Sequence, residues 1–210
     1  MKPYELNCGG VRKMQTFNAV KLAQQLLIEK VNSAKCVIDT TAGNGKDTLF
    51  LAKNSCKDAI IWAFDIQQSA IMKTKRLLTA HNVISKVKLI VDNHANLSSY
   101  VTGNIDVAMF NLGYLPSADH KITTELQSTI MALRQILSVL SVGGIISLVT
   151  YPGHQAGYWE QQAVQEHLKS LSPEIFTVGC WSMINHVNNP PILYVVEKTR
   201  SEASESVASH

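Results

Sequence analysis

The sequence predicts an α/β protein built on a doubly wound, Rossmann-like sheet that is mostly parallel and gains an antiparallel strand at its edge from a C-terminal hairpin. Three observations carry this. Short apolar runs alternate with segments of helical period along most of the chain. Polar loops follow the carboxyl ends of those runs, where sheets of this kind bind ligands. The last two runs have no helix between them, so they pair antiparallel.

Residues 1–15 are polar, carry Gly9-Gly10 and read as a flexible lead-in. A helix follows, with Phe17, Val20, Ala23, Leu26, Leu27 and Val31 on one face. Residues 36–39 are a strand covered on both faces, residues 40–46 a glycine turn and residues 48–52 the start of an apolar helix. Residues 60–65 form the second strand, and the helix over 67–82 exposes Lys73, Lys75 and Arg76 on a solvated face or an RNA contact. The third and fourth strands are 87–92 and 105–110. The spacing predicts a helix over 123–141 with Leu126, Ile130, Leu133, Leu137 and Leu140 inward, ended by Gly143-Gly144 in a left-handed turn. A fifth strand (145–149), a helix (158–171) and two strands (176–183 and 192–197) complete five βα units and a hairpin. Residues 16–199 thus form one domain, and the serine-rich stretch 200–210 reads as a disordered tail.

The totals bound the function. In 210 residues, 46% are hydrophobic and 17% charged, enough for a real core. No apolar run approaches the roughly 18 residues of a membrane span, and residues 1–5 lack a signal-peptide core. Four scattered cysteines with no C-x-x-C pair suit a reducing cytoplasm and exclude a zinc or disulfide framework; no metal site is expected. A net charge of +3 permits nucleic acid without demanding it.

The turn at Asp39-Thr40-Thr41-Ala42-Gly43-Asn44-Gly45-Lys46-Asp47 narrows the ligand. Its spacing and missing hydroxyl are wrong for a phosphate-binding P-loop. A dinucleotide fingerprint would put its third glycine at Thr48. What remains is Asp-x-x-x-Gly-x-Gly, a form of the first motif of class I S-adenosylmethionine (SAM) methyltransferases with Thr41 in place of its usual first glycine. A plain glycine-rich turn is the alternative. Asp65 falls 20 residues after Gly45, where an acid holds ribose hydroxyls or, more simply, caps the next helix. Asp92, Asn93 and His94 end the third strand beside the place an adenine ring would occupy, though His94 could equally be an ordinary loop histidine.

Methyl transfer to an alkylamine needs an uncharged nitrogen aligned with the methyl group and shielded from water. Asn111-Leu112-Gly113-Tyr114 fits this need. It resembles the Asn-Pro-Pro-Tyr signature of amino-group methyltransferases, in which the Asn carboxamide oxygen and the next carbonyl accept the amine hydrogens and the aromatic ring stacks on the base. Asn111 could instead stabilise the turn, and Tyr114 could be a packed loop aromatic. His154 is the candidate proton acceptor, with Tyr151 on the substrate side, unless Tyr151-Pro152-Gly153-His154 only shapes a turn. His186 lines the acceptor entrance or lies in an exposed loop.

The blocks at 38–48, 64–67, 111–116 and 151–154, with Asn189-Pro190-Pro191, together resemble the rRNA-methylase family of class I SAM methyltransferases (the MnmM or YtqB type), over roughly residues 17–198. The resemblance implies a tRNA enzyme that converts 5-aminomethyl-(2-thio)uridine at the wobble position to 5-methylaminomethyl-(2-thio)uridine. It implies a cofactor site of Asp39, Gly43, Asn44, Gly45, Asp47, Asp65, Gln67, Asp92 and His94 for SAM. Asn111, Tyr114 and His154 become catalytic, and Leu112, Tyr151 and His186 substrate-binding. The partner is a tRNA anticodon stem-loop, gripped by the catalytic domain itself with room for a second subunit. Alternatives are an rRNA or small-amine methyltransferase, and a non-catalytic RNA-binding protein that keeps a SAM-like pocket.

Overall fold

The computed structural model describes residues 18–113 and 126–201. Residues 1–17, with Phe17 of the predicted first helix face, residues 114–125 and residues 202–210 lie outside it. In chain order the elements are α1 (Ala19–Ser33), β1 (Cys36–Asp39), α2 (Lys46–Asn54), β2 (Ile60–Asp65), α3 (Gln68–Ala80), β3 (Val87–Val91), β4 (Ile105–Asn111), α4 (Leu126–Val139), β5 (Leu140–Thr150), α5 (Gln155–Lys169), β6 (Phe176–Trp181) and β7 (Ile192–Lys198). One seven-stranded sheet runs β3-β2-β1-β4-β5-β7-β6.

Strand alternation divides the core in two. Val37, Ile61, Ala63, Val107 and Met109 face α1, α2 and α3 through Leu27, Val31, Leu51, Ile71 and Leu78. Ile38, Phe64, Ala108, Phe110 and Leu148 face α4 and α5 through Leu133, Ile136, Val164 and Leu168. Burial on both faces is why these strands read as unbroken apolar runs. The chain winds outward from β1 to β3 and then returns to β4 beside β1. That reversal opens a crevice above the carboxyl ends of β1 and β4.

Four details differ from the expectations above. The third unit crosses back not on an α-helix but on a short 3-10 helix, His94–Ser99. The hairpin is antiparallel, yet its antiparallel strand is not at the edge. β7 fills the gap between β5 and β6, pairs antiparallel with both and leaves β6 outermost. α4 stops at Val139 and not at Gly143-Gly144. Leu140 already pairs with Ile105, Ser141 Oγ donates to Asp106 Oδ1 at 2.8 Å, and Gly143 makes its left-handed bend (φ +71°) inside β5. Gly144 is needed there because a Cβ would sit 2.7 Å from the Ser141 carbonyl oxygen. Finally, Leu26 of α1 and Leu126 of α4 are exposed, because Ala19, Ala23, Leu27 and Val31 form a narrower buried stripe and α4 buries Ser128, Thr129, Ala132 and Ile136.

α5 begins at Gln155, three residues before the predicted start at 158, and His154 is its N-cap. His154 Nδ1 accepts from the Gly157 N–H at 3.0 Å. Only glycine fits at 157, since a Cβ would overlap the Tyr151 carbonyl oxygen.

Candidate active site

Asp39 ends β1 wholly buried. Its Oδ2 accepts from Thr48 Oγ1 at 2.6 Å and its Oδ1 from the Thr41 N–H at 3.1 Å. The carboxyl staples strand to helix beneath the turn. Burial above all, then the charge of Asp47, pushes its pKa up to about 7. Thr48 therefore stands where a dinucleotide turn would have its third glycine because it anchors Asp39.

The turn is clamped from the next βα unit. The Gly43 N–H donates to Asp65 Oδ2 at 2.8 Å, and Thr74 Oγ1 donates to the Gly43 carbonyl at 3.1 Å. Gly45 has φ +80°, and a Cβ there would lie 2.9 Å from the Thr74 Cα. The other oxygen of Asp65 accepts from the Gln67 N–H at 2.9 Å, a local turn ahead of α3; the N-cap of that helix is Gln67, so Asp65 does not cap it. Each carboxylate oxygen keeps a lone pair for a further donor. Burial raises the Asp65 pKa, and the Gln67 and Gly43 N–H groups oppose it. Gln67 is half-buried at the N-cap of α3, and the Asn44 side chain is exposed at the tip of the turn.

Asp92 organises its own loop. It accepts from the Asn93 N–H (2.7 Å), Asn96 Nδ2 (2.9 Å) and the Tyr100 hydroxyl (2.8 Å). The Tyr100 bond first, then Asn96, lowers its pKa. His94 is buried with its Nδ1 3.0 Å from the Thr40 carbonyl oxygen, which can only accept. Nδ1 therefore carries the proton. Burial lowers the His94 pKa, which favours the neutral ring. Nε2 is then a buried acceptor with no partner among the described residues.

The acceptor side centres on Asn111, the last residue of β4. Its Nδ2 donates to Asp47 Oδ2 at 2.9 Å, and its Oδ1 accepts from the Tyr151 hydroxyl at 2.7 Å. The second oxygen of Asp47 accepts from Gln24 Nε2 of α1 at 2.8 Å. The Asn111 N–H donates to Thr41 Oγ1 at 2.9 Å. Leu112 is buried in the α4–α5 core and its N–H donates to the Val149 carbonyl, so its side chain faces away from the crevice. Gly113 lies under the Tyr151 ring, where a Cβ would stand 3.2 Å from Cε2. Burial first, then Asp47, pushes the Tyr151 pKa up to about 12, so Tyr151 is a hydroxyl donor and not a base at neutral pH. Tyr114 lies outside the described residues.

His154 borders a hollow of about 390 Å³ with Pro152, Gly153, Gln155, Tyr158, Trp159 and Asn189. His186 is exposed in the β6–β7 loop beside Ile184 and Val187. The structure thus joins Asp39, Asp47, Asn111 and Tyr151 into one polar system, with Asp65 and His94 flanking it. Sequence reasoning missed Gln24, Thr41 and Thr74. Gln24 had no sequence signal, and Thr41 looked like a defect in the motif.

Solved structures share this architecture. A protein from Clostridium thermocellum described as an rRNA-methylase is 39% identical, with a TM-score of 0.84 over 88% of this chain and 100% of its own. A protein from Streptococcus mutans described as "a putative methyltransferase", solved in complex with SAH, is 35% identical with a TM-score of 0.80 over 88% of this chain and 99% of its own. A protein from Klebsiella pneumoniae described as "a putative O-methyltransferase", 12% identical at a TM-score of 0.67, shows the fold alone. The protein is a class I SAM-dependent methyltransferase. Within that class it belongs to the family described as "Putative rRNA methylase", which matches residues 61–197. It is also 33% identical, over 86% of its length and 69% of the relative's, to the Arabidopsis thaliana protein named tRNA (mnm(5)s(2)U34)-methyltransferase, chloroplastic. Among the described residues, no helix is long and apolar enough to cross a membrane.

Proposed function

We propose that the protein methylates the exocyclic amine of a modified wobble uridine in tRNA, converting 5-aminomethyl-(2-thio)uridine to 5-methylaminomethyl-(2-thio)uridine. The observation that carries this reading is the Asn111 carboxamide. Its nitrogen is held by Asp47, which leaves the oxygen, with one lone pair beyond the Tyr151 bond, as the acceptor offered to a substrate N–H. The name of the Arabidopsis relative supplies the same acceptor chemistry.

The residues at the turn suit SAM. His94 Nε2 is a buried acceptor awaiting a donor, the Asp65 oxygens retain lone pairs beside the glycine turn, and Gly45 leaves no room for a side chain. Asp65 and Gln67 would hold the ribose, Asn44 and Asp47 the methionine part, and His94 the adenine or methionine end. SAM supplies an electrophilic methyl group on a sulfonium. The chain's own part is to accept hydrogens of the uncharged amine at Asn111 Oδ1 and at the Leu112 carbonyl, and so aim the nitrogen lone pair. Tyr151 keeps the Asn111 oxygen in place. His154 Nδ1 is engaged by Gly157, so a proton-accepting role for His154 would rest on Nε2. A wobble base is unpaired and can be splayed into the crevice.

The test is methyl transfer from labelled SAM into tRNA that lacks the final wobble methylation, followed by nucleoside mass spectrometry. The expected product is 5-methylaminomethyl-(2-thio)uridine. Label in rRNA or a small amine with none in tRNA would overturn the acceptor assignment and leave the methyltransferase class intact.

A further inference from the structure

We infer that Gln24, on the helix before the sheet, is a positioning residue that sets which end of the Asn111 carboxamide faces the acceptor. This rests on the reading that Asn111 receives the acceptor amine. The carboxamide has two nearly isosteric ends of opposite character, and only the oxygen can accept an amine hydrogen. Asp47 decides between them, because a carboxylate oxygen 2.9 Å from the carboxamide must face its nitrogen. Asp47 can do so only if its own plane is fixed. Gln24 Nε2 supplies that restraint, donating to Asp47 Oδ1 at 2.8 Å while Oδ2 takes Asn111. The Tyr151 hydroxyl closes the relay from the far side at 2.7 Å.

The relay crosses three separate parts of the fold. Gln24 belongs to α1, Asp47 to the first turn of α2 and Asn111 to the end of β4. α1 packs on β4, β5 and β7 through Ala19, Ala23, Val31 and their neighbours, which holds Gln24 over the crevice. Gln24 is half-buried. The titratable groups around Asp47 are Asp39 beneath the turn and Tyr151 after β5.

The experiment compares Gln24→Glu and Gln24→Met with the wild type, at saturating SAM and tRNA across pH 6 to 9. Gln24→Glu keeps shape and changes only the donor. When its carboxyl is protonated it still donates to Asp47; once ionised it repels Asp47 and frees the carboxamide to turn. An ordinary glutamate titrates at about 4.3, and half-burial beside the Asp47 carboxylate raises it, so the ratio of its kcat to that of wild type should lie about fivefold or more below one at pH 8.5 and climb as pH falls toward 6; taking the ratio cancels the acceptor amine's own titration. Gln24→Met should lower kcat about tenfold at every pH, with KM for tRNA little changed. A flat ratio near one, or wild-type kcat in Gln24→Met, overturns the inference.

A second measurement needs no acceptor. The side-chain amide protons of Asn111, assigned by their loss in Asn111→Asp, should exchange with solvent at least tenfold faster in Gln24→Met. Equal exchange rates overturn the inference. Wild-type protein that transfers no methyl to tRNA counts against the proposed function instead, and the exchange result still decides the role of Gln24.

Discussion

Single residues carry more than one duty in this crevice. Asp65 holds the Gly43 and Gln67 N–H groups and is the residue assigned to the cofactor ribose. Asp65→Ala is expected to weaken SAM binding about a hundredfold by calorimetry and to cost about 1–3 kcal/mol in stability, since two backbone donors lose their acceptor. SAM affinity equal to wild type would refute the ribose assignment. Asp65 was legible from the sequence because its position is fixed by a local rule, one strand and one turn after the glycines. Thr41 was not. It replaces a glycine of the usual motif and seemed to weaken it, but its hydroxyl accepts the N–H of Asn111, 70 residues further on. Gln24 was hidden for the same reason, because its partner is set by how α1 docks and by no spacing in the chain.

Elements explain where the apolar pattern misled. α4 and α5 pack across a buried polar contact in which Thr129 Oγ1 donates to Glu160 Oε1 at 2.8 Å. Burial pushes the Glu160 pKa up to about 7, and the Thr129 bond only partly opposes it. Because the folded-state pKa lies above the unfolded value, the native state binds the extra proton between about pH 4.5 and 7. Stability therefore falls as pH rises through that window and is level above it. Glu160→Gln removes the charge and keeps the Thr129 bond. It is expected to stabilise the protein by about 1–3 kcal/mol at pH 8, with the gain gone near pH 4.5. Denaturant unfolding at the two pH values checks this, and a gain independent of pH would show that charge burial is not the cause. The polar residues of this interface are also why helical periodicity put Leu126 inward. The pattern counts apolar positions, whereas α4 buries Ser128 and Thr129, the latter against Glu160 of α5.

For the whole molecule, charge sets how it meets a polyanion. Nineteen basic against sixteen acidic residues leave +3, with Lys73, Lys75 and Arg76 exposed together on α3. So few phosphate contacts should give a modest salt dependence. The KM for tRNA is expected to rise about twenty- to fortyfold between 50 and 200 mM salt, as roughly three contacts imply. A rise of a thousandfold would point to a far larger basic surface. The scale of the whole sheet also separates what was readable from what was not. The sequence by itself determined the alternation of strands and helices, the glycine turn, the acids at strand ends and the place of Asn111 at the end of β4. Each of these is set by local backbone chemistry or by a period of two or 3.6 residues. Only the tertiary structure decided that β7 enters between β5 and β6, that β5 begins five residues before its apolar run, and that Gln24, Asp47, Asn111 and Tyr151 form one relay. Those outcomes depend on which distant surfaces bury one another and on which buried polar atoms must find partners, and neither condition leaves a repeating mark along the chain.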